Sequence, residues 1–288
     1  MNKQLLVGLS IPLGLVVGSI LTMVIDRVPE KWPVFRPGPR CPHCEAPIAP
    51  RHLVPVLSWF MLRGRCASCR EHITVAYPIV EAVTAFAFAV AVVQFGPHWQ
   101  VLAFWVFFAA LIAVSVVDLF NYLIPDRIVF PSLALSLALI AAVSLYYDRP
   151  RMIGGALVGM AAYAVLLGLP FVIRPNALGF GDVKLALLMG VFLGWGDDYL
   201  TSVRLVLISL VIGCMIGLAT GALLFLARKV SGRELLVDPL VEAGELAPQS
   251  GLFGTTFPFG PACEEHRRRS KLPSVGRTNR RGSSQKSC

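Results

Sequence analysis

Charge is what this sequence has least of. Only 15% of its 288 residues are Asp, Glu, Lys or Arg, against 56% hydrophobic, and the mean hydropathy is +0.68. Soluble domains carry about 25% charged residues to cover their surface, so a water-soluble globule is excluded and an integral membrane protein is implied. Histidine is scarcer still. The five present, His43, His52, His72, His98 and His266, all fall in loops or the C-terminal tail. That absence argues against Ser-His-Asp chemistry in the apolar part of the chain. The net charge of +9 does not indicate nucleic acid, because in a membrane chain Lys and Arg chiefly orient the loops.

What is there is a series of apolar runs. Leu5–Ile25 is long enough to span a bilayer core, which takes about 20 residues. No small-residue cleavage site follows it at Asp26-Arg27, so it reads as a retained helix and not a signal peptide. Further runs occur at Ile79–Phe95, Trp99–Val117, Ile128–Tyr147, Met152–Ile173, Val183–Trp195 and Val203–Ala227. These predict an all-α polytopic membrane protein with about seven transmembrane helices; Val183–Trp195, the shortest, can also be read as a re-entrant or buried helix, and including Ala177–Phe180 brings it to a spanning length. Pro12, Pro131 and Pro170 are read as lying near the ends or first turns of spans, where a missing amide does least harm. No internal repeat is evident.

Four regions follow: a first helix at 1–25, a polar insert at 26–77, a membrane core at 78–229, and a hydrophilic linker with a basic tail at 230–288, expected to be disordered. Arg27, Lys31, Arg36, Arg40, Arg51, Arg63, Arg65 and Arg70 crowd the insert, and Arg127, Arg174, Lys184, Arg228 and Lys229 fall on the same side. The opposite side has Lys3, Arg149, Arg151 and Arg204. The positive-inside rule then puts the insert in the cytoplasm and the N-terminus outside.

The insert carries Cys41-Pro-His-Cys44 and Cys66-Ala-Ser-Cys69. Two such tight turns supply four thiolates to a tetrahedral metal, and a reducing compartment disfavours disulfides. Structural zinc on Cys41, Cys44, Cys66 and Cys69 is the expectation, with free or redox-active thiols as the alternative. His43 and His72 read as surface residues, Cys214 as packing, and Cys263 and Cys288 as unligated tail residues.

Two acids stand at boundaries of apolar runs on the same face. Asp182 lies within A-L-G-F-G-D-V-K-L, residues 177 to 185, where Gly179 and Gly181 let the backbone turn tightly. Asp182 can be read as the N-cap of a helix beginning at Val183, or as a functional carboxylate at a membrane edge. Asp118 opens D-L-F-N-Y-L-I-P-D, with no basic neighbour before Arg127. Asp126 follows Pro125 and reads as a helix cap. If Asp118 and Asp182 face each other, repulsion lets the pair hold one proton. One carboxylate can then deprotonate water while the other polarises a peptide carbonyl, with no catalytic metal.

G-F-G-D-V-K-L, D-L-F-N-Y-L-I-P-D, the paired C-x-x-C insert with P-V-L-S-W-F-M-L-R-G-R-C (55–66), and Y-P-I-V-E (77–81) together resemble the type IV prepilin peptidases. The resemblance runs from about Gly18 to Arg228. It implies that Asp118 and Asp182 are the catalytic pair of a GxGD aspartyl protease, with Gly179, Gly181 and Lys184 supporting the active-site loop. It also implies cleavage of the basic leader of type IV prepilin and type II secretion pseudopilin precursors, at the cytoplasmic face of a bacterial inner membrane. Many members N-methylate the new N-terminus with S-adenosylmethionine; no methyl-donor site is marked by the residues themselves. The partners implied are the precursors and the lipid bilayer, with no nucleic acid, and the oligomeric state is left open.

Two departures stand out. Thr22 occupies a position where the family usually has Asn, and residues 262–288 lack the last apolar helix that follows F-G-P in the family pattern. A diverged, truncated or frameshifted terminus is the reading of the latter. Two rival functions are a presenilin-like intramembrane protease, which shares Gly-x-Gly-Asp, and a non-enzymatic scaffold or ion-binding transporter.

Overall fold

The computed structural model describes residues 3–34, 38–41, 43–44, 46–49, 54–173 and 179–231. The expectations for the linker and tail, including Cys263, Cys288 and the absent last helix, lie outside the described residues, as do His52, His266, Arg36, Arg51 and Arg174. Among the described residues there are eight helices: α1 Lys3–Arg27, α2 Leu57–Met61, α3 Ala76–Phe95, α4 Gln100–Asn121, α5 Asp126–Tyr146, α6 Arg151–Ile173, α7 Phe180–Leu193 and α8 Tyr199–Ser231. Six of them (α1, α3, α4, α5, α6 and α8) are long and apolar enough to cross a membrane. The chain is an all-helical polytopic membrane protein. α7, at 14 residues, is about 21 Å long and falls short of the roughly 30 Å hydrocarbon core.

Small residues decide which helices meet. α1 packs on α3, where a Cβ on Gly14 or Gly18 would lie 2.6 Å from the Ala85 Cα and 2.7 Å from the Glu81 Cα. α6 packs on α7 in the same way, with Gly155 and Gly159 against Gly190 and Gly194. With lipid on both sides no hydrophobic force drives such pairs together; close backbone contact supplies dispersion attraction instead. Pro12 proves to be nine residues into α1, well inside the helix and not near its end. A spanning helix tolerates this because neighbouring groups re-satisfy the freed carbonyl.

The connections sort the helices between two ends. At the far end, Arg149 pairs with Asp197 at 3.0 Å, tying the α5–α6 turn to the α7–α8 turn. Asp198 caps α8 by accepting the amides of Leu200 and Thr201. The Thr201 hydroxyl, which also donates to Asp198, and then these amides hold its carboxyl below the ordinary range. At the near end lie the polar insert, the α4–α5 turn and the start of α7. A core of Ile25, Val28, Val80, Val114, Val117, Ile128 and Val129 fills the bundle between α1, α3, α4 and α5, with Ile124 and Leu185 against it. The bundle therefore holds the two aspartate segments on one rigid end.

Candidate active site and cysteine centre

Asp118 sits in the last turn of α4 and Asp182 in the first turn of α7. What stops α4 is Tyr122, left-handed at φ 51°, whose amide donates to the Asp118 carbonyl at 2.9 Å. Residues 122–125 then cross toward α5 and press Ile124 against α7. A Cβ on Gly181 would lie 2.9 Å from the Ile124 Cβ. Glycine at 181 is thus required by the close approach of the neighbouring turn, which delivers the Asp118 segment to the mouth of α7.

Gly179 has a different role from the tight turn expected of it. Its φ of −68° is open to any residue, and it serves as the N-cap of a helix that starts at Phe180, not Val183. Asp182 is therefore the third residue of α7, not its cap. Its amide donates to the Gly179 carbonyl at 3.1 Å, and its carboxylate accepts the Gly179 amide. This is the acidic half of a capping box, so the structural role and a chemical one coexist in one side chain.

The charge of Asp118 reaches Asp182. Partial burial first, and the charge of Asp118 second, raise Asp182 above the ordinary aspartate range, against the opposing pull of the Gly179 amide. Both residues remain open to solvent. An acid pair of this kind favours a singly protonated state.

Lys184, two residues beyond Asp182, would erase that state if it reached the pair. Instead its ammonium is paired with Asp126 of α5 and lies 4.6 Å from the Phe180 ring centroid and 5.9 Å from that of Phe130. Asp126 is thus not the cap of α5. Pro125 occupies the cap position, and no side chain caps that helix. Asp126 is a partner that sequence reasoning missed because the tie runs between two segments 58 residues apart.

The four expected thiols also come together. The sulfurs of Cys41, Cys44, Cys66 and Cys69 all lie within 4.8 Å of one another, with Cys41 and Cys69 3.8 Å apart. Tetrahedral zinc with bonds of about 2.3 Å requires sulfur separations of about 3.8 Å. The two halves are built alike, a repeat visible as Arg-Cys-x-x-Cys at 40–44 and 65–69 but overlooked in the sequence reading. Arg40 bridges Pro47 and Arg65 bridges His72. The Cys41 amide donates to Ala46 and the Cys66 amide to Glu71. In each half, the amides two and three residues on point at the first sulfur. At Cys41 burial, helped by the Cys66 and Cys44 sulfurs, outweighs them and pushes it up to about 12; at Cys66 they and the Cys41 and Cys69 sulfurs overcome burial and bring it down to about 7. Amide donors to sulfur favour thiolate. Spacing and donors fit a four-sulfur metal centre.

A third polar cluster had been passed over. Glu81 is buried between α1 and α3, where it accepts the Val56 amide at 2.6 Å and the Ser19 hydroxyl. Tyr77 donates to Asp26 at 2.8 Å. An acid inside an apolar run was the available signal.

Comparison with known proteins covers most of this arrangement. Residues 13–95 match the bacterial peptidase A24 N-terminal domain and residues 105–225 the type IV leader peptidase family. A prepilin leader peptidase/N-methyltransferase from Stutzerimonas stutzeri is 32% identical over 240 residues, spanning 75% of this chain and 81% of the relative. One of the same name from Bacillus subtilis is 32% identical over 81% of this chain and 89% of its own. A type 4 prepilin-like proteins leader peptide-processing enzyme from Escherichia coli is 36% identical over 63% and 74%, respectively. No solved structure matches. A membrane bundle that brings two aspartate segments to one end, beside a four-cysteine insert, is thus accounted for along most of its length by one lineage: the chain belongs to the type IV leader peptidase family.

Proposed function

We propose that this chain is a membrane aspartyl endopeptidase that removes the leader peptide of type IV prepilins and of type II secretion pseudopilins. The observation that carries the mechanism is Asp182, raised by partial burial and by the charge of Asp118, at a solvent-open end of the bundle. Asp182, held above the ordinary aspartate range, is the protonated member and polarises the scissile carbonyl. Asp118, ionised, takes a proton from the attacking water. The tetrahedral intermediate collapses as the proton passes to the leaving amine. Gly179, Gly181 and Lys184 hold the mouth of α7, Gly181 by admitting Ile124 and Lys184 by its tie to Asp126.

Prepilin cleavage by the reconstituted full chain tests this reading. Asp118→Asn and Asp182→Asn should each lower the rate by roughly 10²- to 10⁴-fold; wild-type rates in either would overturn it. The pH profile carries the sign. Because Asp182 is raised, activity persists as pH climbs past the range where an ordinary aspartate ionises, and falls only when Asp182 itself loses its proton.

The orientation follows from the basic residues of the insert: the aspartates face the cytoplasm of the bacterial inner membrane, with the N-terminus outside. The metal at Cys41, Cys44, Cys66 and Cys69 is zinc. Four sulfurs close its coordination, so it braces the insert and takes no part in hydrolysis. Metal analysis of protein purified under reducing conditions should find one zinc per chain, lost in Cys41→Ser/Cys66→Ser. The relatives are named N-methyltransferases as well as peptidases, which supports N-methylation of the new N-terminus as a second activity, with S-adenosylmethionine the methyl donor that the family resemblance implies. A methylation assay on the cleaved product tests that second activity independently of cleavage.

A further inference from the structure

The polar insert reads from sequence as a small soluble module below the membrane. Its geometry is different. α2 begins after Val56, whose amide is held by Glu81. Glu81 is five residues inside α3, about 7.5 Å beyond its first residue. On the partner helix it faces Gly18, nine residues before the end of α1. The start of α2 is therefore level with the first turns of the spanning helices, not beneath them.

The tie is costly to make, which marks it as specific. Val56 is β-branched and takes φ 59°, a conformation costing of order 1–3 kcal/mol. It holds because Glu81 is buried and would otherwise keep only the Ser19 hydroxyl as a donor. The remainder of the segment is fixed around Gly64, at φ +65°, where a Cβ would lie 2.8 Å from the Trp59 ring. Trp59 donates its indole N–H to the Ile73 carbonyl at 3.1 Å, and the Ile73 amide returns to Gly64 at 2.7 Å. With Trp59 folded inward, the other large side chains are displayed. Leu57 is 56%, Phe60 63% and Met61 75% exposed, and none of the five α2 residues is buried. Arg63 and Arg65 follow at once, both exposed.

We propose that α2 is a membrane foot: Leu57, Phe60 and Met61 enter the acyl boundary of the cytoplasmic leaflet while Arg63 and Arg65 contact anionic headgroups. The depth set by Glu81 continues the lipid-facing surface of the spanning helices into the insert, and the apolar tip followed by two arginines matches a bilayer interface in both polarity and charge. A protein partner at this tip would have to compete with lipid already at that level. The cysteine centre is thereby held against the membrane from two sides, by the Glu81 tie and by the lipid contact.

Site-directed photo-crosslinking tests this. p-Benzoyl-phenylalanine replaces Phe60 or Met61 in the full chain, reconstituted in vesicles of phosphatidylethanolamine with one-third phosphatidylglycerol. Val211, exposed on α8, is the lipid-facing reference, and Ser68, exposed on the second cysteine turn, is the aqueous one. Phospholipid adducts at 60 and 61, at yields within a factor of two of position 211 and at least fivefold above position 68, are expected. In the Arg63→Gln/Arg65→Gln chain, the share of phosphatidylglycerol in those adducts should fall to its share in the vesicle. Lipid adducts at 211 without any at 60 and 61 would overturn the proposal. So would a protein adduct at 60 or 61, whether to a second copy or to a precursor.

Discussion

Two corners of the near end both present carboxyl groups, and they are furnished in opposite ways. At the α1–α3 corner, Glu81 is buried and receives an amide and a hydroxyl, while Asp26 receives the Tyr77 hydroxyl. At the α4–α7 corner, Asp118 and Asp182 are exposed, and Asp182 meets the charge of Asp118 with only the Gly179 amide to offset it. The first arrangement satisfies its acids and locks helices together. The second leaves Asp182 raised beside another acid, the arrangement that the proposed water activation uses. Donors, not the mere presence of an acid near a membrane edge, separate a brace from a reactive centre.

That contrast can be broken from either side. The largest effect on cleavage, short of removing an aspartate, is expected from Gly181→Val. The added side chain collides with Ile124 and shifts the Asp118 segment relative to Asp182, and a displacement near 1 Å is enough to cost about 10²-fold in kcat. Single-turnover cleavage would read it, with helix content by circular dichroism confirming that the bundle remains.

Glu81→Ala should act oppositely, on stability and not on the chemical step. The Val56 amide loses its acceptor inside the bundle, costing about 1–3 kcal/mol, which appears as a lower midpoint of thermal unfolding in detergent. A cleavage rate per folded molecule reduced as far as in Asp182→Asn would erase the distinction between the corners.

The smallest effect is expected at the Lys184–Asp126 tie. Asp126→Asn frees an ammonium two residues from Asp182, and its proximity favours ionisation of both aspartates. A loss of about 5- to 10-fold in kcat, with the alkaline limb moved to lower pH, is the outcome expected from roughly 1 kcal/mol of redirected charge. The swap Asp126→Lys/Lys184→Asp restores the pair and should recover part of the rate. Equal loss in the single variant and the swap would show that the tie does not position α7.

Much of this arrangement was legible in the residues because its signals are local. Runs of apolar residues at bilayer length identified six spans among the described residues, the seventh run, Val183–Trp195, forming the short α7, and Cys-x-x-Cys at two sites announced a four-sulfur centre that the fold assembles. Asp118 and Asp182 stood out as acids at apolar boundaries. What was misread depended on contacts across the bundle. Asp126 looked like a cap because Asp before a helix usually is one; only the approach of α7 to α5 shows it holding Lys184. Gly179 and Gly181 looked equivalent, yet Gly181 answers to Ile124 and Gly179 to its position at the helix start. Glu81 drew no attention as a site because its partner, the Val56 amide, comes from the insert.

By itself, then, the sequence determined that this is a helical membrane protein with a cysteine-built insert and two boundary aspartates. Apolar length and residue chemistry are properties of consecutive positions, and solvent and bilayer read them directly. Only the tertiary structure decided which carboxyls are satisfied and which stand near another charge. Those depend on the approach of backbones distant in the chain, set here by Gly18 against Glu81 and Gly181 against Ile124, where a single missing Cβ allows two segments to meet.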